Sequence, residues 1–271
     1  FPFEALLTPE DIYNGSMLAI AELLRFGVTS VTDMYFGEDA VCRAALESGI
    51  KINFSSSITC FDESDLKNLP AYRETLPLIR EFHNADDGRI RIDLAIHAEY
   101  TSTPKTVAQM ADWARETGLR MHLHLSETRS EHEACKARHN GKTPAQYFDS
   151  LGVFDAPTTA AHCVWVEDCD IEIFKARGVT AACNPVSNLK LASGFCPVPR
   201  LLDAGVNVAL GTDGAASNNN LNLLEEARLF ATLYKAASGD PTAVSPAQAV
   251  YAATRAGALS QGREDCGILR E

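Results

Sequence analysis

Seven short β-rich runs alternate with helical patterns from one end of this chain to the other, and that alternation is the strongest constraint on its fold. The runs are Val28 to Phe36, Ile50 to Ile58, Ile90 to His97, Arg120 to Leu125, Thr158 to Val164, Val179 to Asn184 and Asn207 to Thr212. A helical pattern precedes each run, often closed by a glycine such as Gly49, Gly118 or Gly178, which suits the left-handed end of a helix. Thr8, Pro9, Glu10 and Asp11 read as a helix start, with a capping hydroxyl, a proline in the first turn and acids at the positive dipole end, so a helix is expected from Thr8 to Phe26. Strand and helix in strict alternation mean βαβ units on a parallel sheet. Units at this spacing predict an α/β fold, a TIM-type (β/α)8 barrel whose first strand is the one unaccounted for. An open doubly wound sheet would want a glycine-rich phosphate turn after its first strand, and none occurs. Residues 1–271 are expected to form a single barrel domain, incomplete at its N-terminus and at its C-terminus.

Charge and cysteine usage narrow the partners. The formal net charge is −12 and no Lys/Arg cluster occurs, which opposes nucleic-acid binding and favours a small-molecule substrate. Eight scattered cysteines without a C-x-x-C pair read as free thiols, and so as a cytoplasmic protein. No apolar run approaches the roughly 18 residues that a bilayer span needs, so no membrane association is expected.

Catalytic groups of a parallel barrel stand at the C-terminal ends of its strands. There the chain carries His97, His124, His162 and Asp213, the ligand types of a catalytic metal that keeps a position open for water. Each alone reads more simply as a hydrogen-bonded core histidine or a turn-forming aspartate; their recurrence at successive strand ends is what points to a site. In M-H-L-H-L-S-E, alternation puts His122 and His124 on one face, with His124 nearer the rim. His124 is the better ligand candidate, while His122 reads as a buried, hydrogen-bonded support or as a second ligand. Glu127, just past the strand, suits proton shuttling between a water and a leaving nitrogen; its plainer reading is a solvated acid at a helix start. Ser217 to Asn220 read equally as a cap for a helix from Leu221 and as a loop shaping the rim beside Asp213. Trp113 and Trp165 read as packing residues, with Trp165 near enough to His162 in sequence to reach a substrate ring.

H-L-S-E-T at His124 to Thr128, A-A-H-C-V at Ala160 to Val164, N-P-V-S-N-L-K-L at Asn184 to Leu191 and L-G-T-D-G-A-A-S-N-N at Leu210 to Asn219 resemble the amidohydrolase superfamily. More narrowly they resemble its branch of S-adenosylhomocysteine and 5′-methylthioadenosine deaminases. The resemblance covers essentially the whole chain. It implies a barrel with one divalent metal, Zn2+ in the first place and Fe2+ in the second. It further implies that His124 and Asp213 hold the metal, that Glu127 and Asp213 handle protons, and that His162 contacts the nucleophilic water or the reacting ring. His97, in I-H-A-E-Y-T-S-T-P, resembles a substrate-contacting histidine, and Glu4, in F-P-F-E, resembles a glutamate holding the ribose hydroxyls. Glu127 and Asp213 are thereby expected to touch substrate as well. Homo-oligomers are compatible with the resemblance.

Two departures stand out. The family's first strand carries another His-x-His that completes the metal site, and nothing ahead of Phe1 supplies it here, so a trimmed chain is expected. The family's substrate-contacting arginines near the third strand have no counterpart in Asn53 to Cys60, which leaves Arg73 of the following stretch as a substitute. The implied reaction is hydrolytic deamination of an adenosine-type purine: Asp213 takes a proton from the water, Glu127 protonates a ring nitrogen, and His162 stabilises the developing oxyanion. The alternatives are a guanine, pterin or triazine aminohydrolase of the same superfamily and a non-catalytic ligand-binding barrel.

Overall fold

In the computed structural model, which describes residues 3–269, the chain forms eight strand segments, β1 (Ser30–Tyr35), β2 (Lys51–Ile58), β3 (Ile90–Ile92), β4 (Leu94–Ile96), β5 (Met121–Leu125), β6 (Thr158–His162), β7 (Thr180–Cys183) and β8 (Val208–Leu210). All pair in parallel in the order β1-β2-β4-β5-β6-β7-β8, with β3 also on β2. A curled parallel sheet of this order, with helices outside, is the (β/α) barrel type that the alternation predicts. Among the described residues β1 and β8 are the two ends of the sheet, and every residue of β1 is half-buried.

The first helix shows how locally the elements are specified. Thr8 accepts a hydrogen bond from the Asp11 amide at 3.2 Å while the Asp11 carboxylate accepts from the Thr8 amide at 2.9 Å, a reciprocal cap, and the helix runs Pro9–Arg25. One expected strand differs. The run Ile90 to His97 is interrupted at Asp93, a buried acid whose carboxylate accepts both contacts of the Asn53 amide, at 2.9 and 3.1 Å. The register on β2 runs on across the interruption, Ile92 opposite Phe54 and Ala95 opposite Ser57, and the Asp93 amide still donates to the Phe54 carbonyl at 2.8 Å.

Alternation decides what each strand face does. On β5, Met121, Leu123 and Leu125 are buried against Val107, Met110 and Phe148 of the helical layer. His122 and His124, between them, face the other way, into the barrel. A second apolar cluster, including Ile20, Val41, Ile52, Phe54 and Ile90, joins the first helices to β2 and β3.

The N-terminal ends of the strands are sealed by a late segment of the chain. The Ala256 carbonyl accepts from Asn207, that of Ser260 from Thr159 and Arg120, that of Gln261 from Asn53 and Arg91, and that of Gly262 from Arg91. The Gln261 side chain reaches Ser30 and Thr32. Buried Arg263 donates to the carbonyls of Gly88, Ile52 and Arg89 and to Asn53. With that end closed by its own backbone, the opposite rim is the one on which parallel barrels carry their active groups.

Candidate active site at the strand ends

The turn after β5 is built to deliver an acid. Ser126 is buried in a left-handed conformation, φ 48°, which bends the chain sharply after Leu125. The carboxylate of Glu131, on the helix Arg129–Arg138, accepts the amides of Ser126, Glu127 and Thr128 at 3.1, 2.9 and 3.4 Å. His132 is wedged between Ser126 Oγ at 3.1 Å and Glu167 at 3.0 Å. The bend carries the Glu127 carboxylate to 3.8 Å from His162 Nε2, with Ser193 Oγ at 3.5 Å on its other oxygen.

His124 has a defined tautomer. Its Nδ1 lies 2.8 Å from the carbonyl oxygen of His97, an atom that only accepts, so Nδ1 carries the proton and Nε2 keeps a lone pair. Burial, then the neighbouring His162 and His122, pushes its pKa down to about 3, so the ring stays neutral, the form a metal binds. The His97 ring stands 4.9 Å from that of His124, and the His162 ring stacks on it at 5.5 Å. Burial lowers the pKa of His97, whose Nδ1 is 3.3 Å from Thr101 Oγ1.

His162 closes β6 at φ 70°, and Asp213 follows β8 at φ 59°. Left-handed conformations at non-glycine residues carry strain that clusters at functional positions. One short helix, Pro185–Lys190, serves both residues. Asn188 Oδ1 lies 3.0 Å from His162 Nδ1, which places the proton on Nδ1 and turns the Nε2 lone pair towards Glu127. Ser187 Oγ donates to Asp213 Oδ2 at 2.6 Å, Ser217 Oγ to the same oxygen at 2.7 Å, and the Gly214 amide to Oδ1 at 2.7 Å. Burial pushes the Asp213 carboxyl up, but the Ser187 hydrogen bond, the neighbouring His162 and the remaining donors outweigh it and leave the pKa below the ordinary value. Gly211 is required beside this helix, because a Cβ there would stand 2.8 Å from the Asn184 amide nitrogen.

The remaining candidates fall as follows. Glu4 lies at the β1 side of the rim, where Tyr35 OH donates to it at 3.4 Å; Phe1 and Pro2 of its motif lie outside the described residues. His122 is buried as expected, and its burial lowers the pKa to about 4, but its Nδ1 has no hydrogen-bond partner, so the expected hydrogen-bonded support is only half realised. Arg73 directs its guanidinium to the Lys67 carbonyl and Asn68 rather than across the rim. Of the two readings of Ser217 to Asn220, the cap falls instead to Asn222, which accepts the Leu224 and Glu225 amides of a helix that starts at Leu223, while Ser217 lies beside Asp213 and donates to it. Trp113 packs on Tyr72, and half-buried Trp165 is fixed by its indole N–H on the Ser193 carbonyl at 2.8 Å. Sequence reasoning passed over Ser187, Asn188 and Glu131 as roles, although the first two lie inside a motif it singled out.

The rim fits a divalent metal by donor chemistry. His124 offers an imidazole nitrogen with its other nitrogen on a carbonyl, the usual support of a ligand histidine; Asp213 offers a carboxylate, and the orphaned, buried Nδ1 of His122 lies on the same strand. A catalytic zinc takes about three protein ligands. Among the described residues the rim does not gather three ligand atoms within 4.8 Å of one another; the group that does, Glu99, Cys135 and His139, is different in kind. There Glu99 is already paired with Arg138 and with His139, an arrangement that anchors the helix Arg129–Arg138.

The amidohydrolase family profile matches residues 1–271. A 5-methylthioadenosine/S-adenosylhomocysteine deaminase of Dictyoglomus thermophilum is 45% identical over 273 residues, covering 100% of this chain and 63% of that protein. A 5'-deoxyadenosine deaminase of Methanosarcina mazei is 42% identical over 271 residues, covering 100% of this chain and 62% of that protein. Among solved structures, an adenosine deaminase from Xanthomonas campestris with bound zinc superposes with a TM-score of 0.89 at 35% identity, covering 97% of this chain and 60% of that one. The chain therefore spans about three fifths of the length of the relatives it matches.

Proposed function

This chain belongs to the amidohydrolase family, and from that premise we propose that the whole protein deaminates an adenosine-type purine by hydrolysis, releasing ammonia and the inosine-type product. The observation that carries the proposal is the proton-handling pair at the rim: Glu127 stands 3.8 Å from the Nε2 of a buried His162 whose tautomer Asn188 fixes, beside a His124 in ligand form. The three relatives named above are deaminases of adenosine compounds, which supports the substrate class.

His124 and Asp213 would hold a metal, with zinc favoured by these donors and by the zinc of the Xanthomonas campestris structure, and it would supply Lewis acidity that eases loss of a proton from water near neutral pH. Glu127 in its protonated form donates to a ring nitrogen, which leaves the amine-bearing carbon electrophilic. Asp213 accepts a proton from the attacking water, held in place by its three donors. His162 acts differently from the oxyanion donor that the sequence suggests. With Nδ1–H committed to Asn188, its Nε2 is an acceptor first and stabilises negative charge only once it has taken a proton. The C–O bond forms, the proton held by Asp213 passes to the amine, the C–N bond breaks to release ammonia, and the hydroxyl proton of the adduct returns to Glu127, by way of the His162 Nε2 lone pair, as the carbonyl forms. His97 and Glu4 are assigned to substrate contact, and the partner is a small purine, with no nucleic acid. All eight cysteines are free, which supports a reducing, cytoplasmic setting, and no helix among the described residues is long and apolar enough to cross a membrane.

The test is ammonia release by the full-length, zinc-loaded protein on adenosine, methylthioadenosine, S-adenosylhomocysteine, guanine, a pterin and a triazine. Turnover confined to the adenosine compounds is expected. Turnover confined to another ring would overturn the substrate class, and no ammonia from any of them would overturn the reaction.

A further inference from the structure

Glu226 takes no part in the reaction outlined above, yet it is fully buried beside the residues that do. It lies in the first turn of the helix Leu223–Ser238. One carboxylate oxygen accepts the Val186 amide at 3.1 Å and the other accepts the Asn218 side-chain amide at 2.6 Å. Both donors are neutral. Burial, and after it the negative charges of Glu225 and Asp213, pushes the carboxyl up to about 7. A buried acid so placed destabilises the fold unless what it fastens offsets the cost.

What it fastens are the two segments that orient the proton-handling groups. Val186 immediately precedes Ser187, which donates to Asp213, and Asn188, which orients His162. Asn218 immediately follows Ser217, the second hydroxyl on Asp213, and also donates to the Thr212 carbonyl at 2.7 Å, one residue before Asp213 itself. A further link between the two segments, Lys190 to the Ala216 carbonyl and Asn219, is solvent-exposed and lies at their outer edge. Glu226 is the buried tie at their root.

We propose that Glu226 is a positioning residue for the deamination: by joining the segment after β7 to the segment after β8, it sets His162 and Asp213 in register with each other. This rests on the reading of the site given above. Glutamine at 226 preserves volume but offers one acceptor where two donors converge, so one tie breaks. In the full-length, zinc-loaded protein, Glu226→Gln is expected to lower kcat on an adenosine-type substrate about ten- to a hundredfold while KM stays within about threefold, the pattern of a misplaced reacting group rather than weakened binding. Bound zinc is expected to remain at the parental level. Independently of turnover, the 15N signals of His162 in histidine-labelled protein are expected to report a single Nδ1–H tautomer in the parent and a mixture in the variant. Asn218→Ala, which removes one tie from the other side, is expected to act in the same direction and more weakly, and it serves if Glu226→Gln does not fold. Parental kcat together with an unchanged His162 tautomer in either folded variant would overturn the proposal, as would a lower melting temperature with kcat per folded site unchanged. A parent that deaminates none of the adenosine compounds, but whose variant still loses the tautomer, would sink the proposed reaction and leave the positioning role standing.

Discussion

The two ends of this barrel treat polar groups in opposite ways. At the N-terminal ends of the strands, Asn53, Arg91, Arg120, Thr159 and Asn207 all donate to carbonyls of one late segment, and Arg263 alone serves four acceptors. At the C-terminal ends, Asn184 Oδ1, Asn188 Nδ2 and Asn218 Oδ1 are buried without partners, and Ser126, His162 and Asp213 hold left-handed conformations. The closed end is not free of unpaired groups, Arg263 Nε being one, but at the C-terminal rim the unpaired amides and the left-handed residues stand within and beside the segments that hold His162 and Asp213, as strained groups do at functional sites. One end holds the fold together, and the other is arranged for a reaction.

Substitutions at the two ends are expected to separate these properties. Asp213→Asn keeps the shape of the rim but removes a metal-binding, proton-accepting carboxylate; kcat/KM for deamination is expected to fall at least about a thousandfold, with the melting temperature within a few degrees of the parent. An activity loss matched by an equal loss of folded protein would erase the distinction. Arg263→Ala at the other end removes the guanidinium from the carbonyls of Ile52, Gly88 and Arg89, of which that of Arg89 keeps the Ile52 amide at 2.9 Å. It is expected to cost about 3 kcal/mol in denaturant unfolding while kcat per folded molecule stays within about twofold. Ser187→Ala removes one of the hydroxyls on Asp213 and is expected to lower kcat about tenfold, equivalent to about 1.4 kcal/mol, with stability nearly unchanged.

The smallest effect is a pH dependence of the metal-free protein. Burial lowers the folded-state pKa of His122 to about 4 and of His124 to about 3, from an ordinary value of 6.5. Below pH 6.5 the unfolded chain therefore binds more protons than the folded one, so their contribution is present above 6.5 and is lost as pH falls towards 4 and below, at up to about 1.4 kcal/mol per pH unit for each group. Glu226, raised to about 7, and Asp33, raised to about 6, act in the opposite sense over pH 7 to 5, so the effect is read as a difference: in chemical unfolding over that range His122→Asn is expected to take up to about 1.4 kcal/mol per pH unit below 6.5 off the fall in stability relative to the parent. Parallel profiles of the variant and the parent would mean that the His122 ring is not the desolvated group its burial makes it.

Much of this was legible in the sequence, for reasons that differ by residue. Strand runs and the first helix follow from period and capping chemistry, both local, and Thr8 with Asp11 behaves as those four residues dictate. His124 and Glu127 were legible because a strand of period two and a sharp turn put them on the rim with little help from elsewhere. The break at Asp93 was not, since I-R-I-D-L-A-I-H keeps an alternating pattern and the partner of this buried acid is Asn53, forty residues away in sequence. Glu226 sits beside Glu225 in what reads as an acidic first helical turn; only the packed fold distinguishes the acid that meets solvent from the one that meets Val186 and Asn218. The tautomer of His162 depends likewise on Asn188, which a motif can mark but whose partner it cannot identify.

Steady-state ammonia release by Glu127→Gln, in the full-length, zinc-loaded protein with methylthioadenosine, tests the account most directly. The account predicts a fall in kcat of about a thousandfold or more, with KM within about fivefold and an unchanged melting temperature, because the variant keeps the fold and the substrate pocket and removes the proton donor. Turnover within tenfold of the parent would contradict it and dismiss Glu127 from the centre of the reaction.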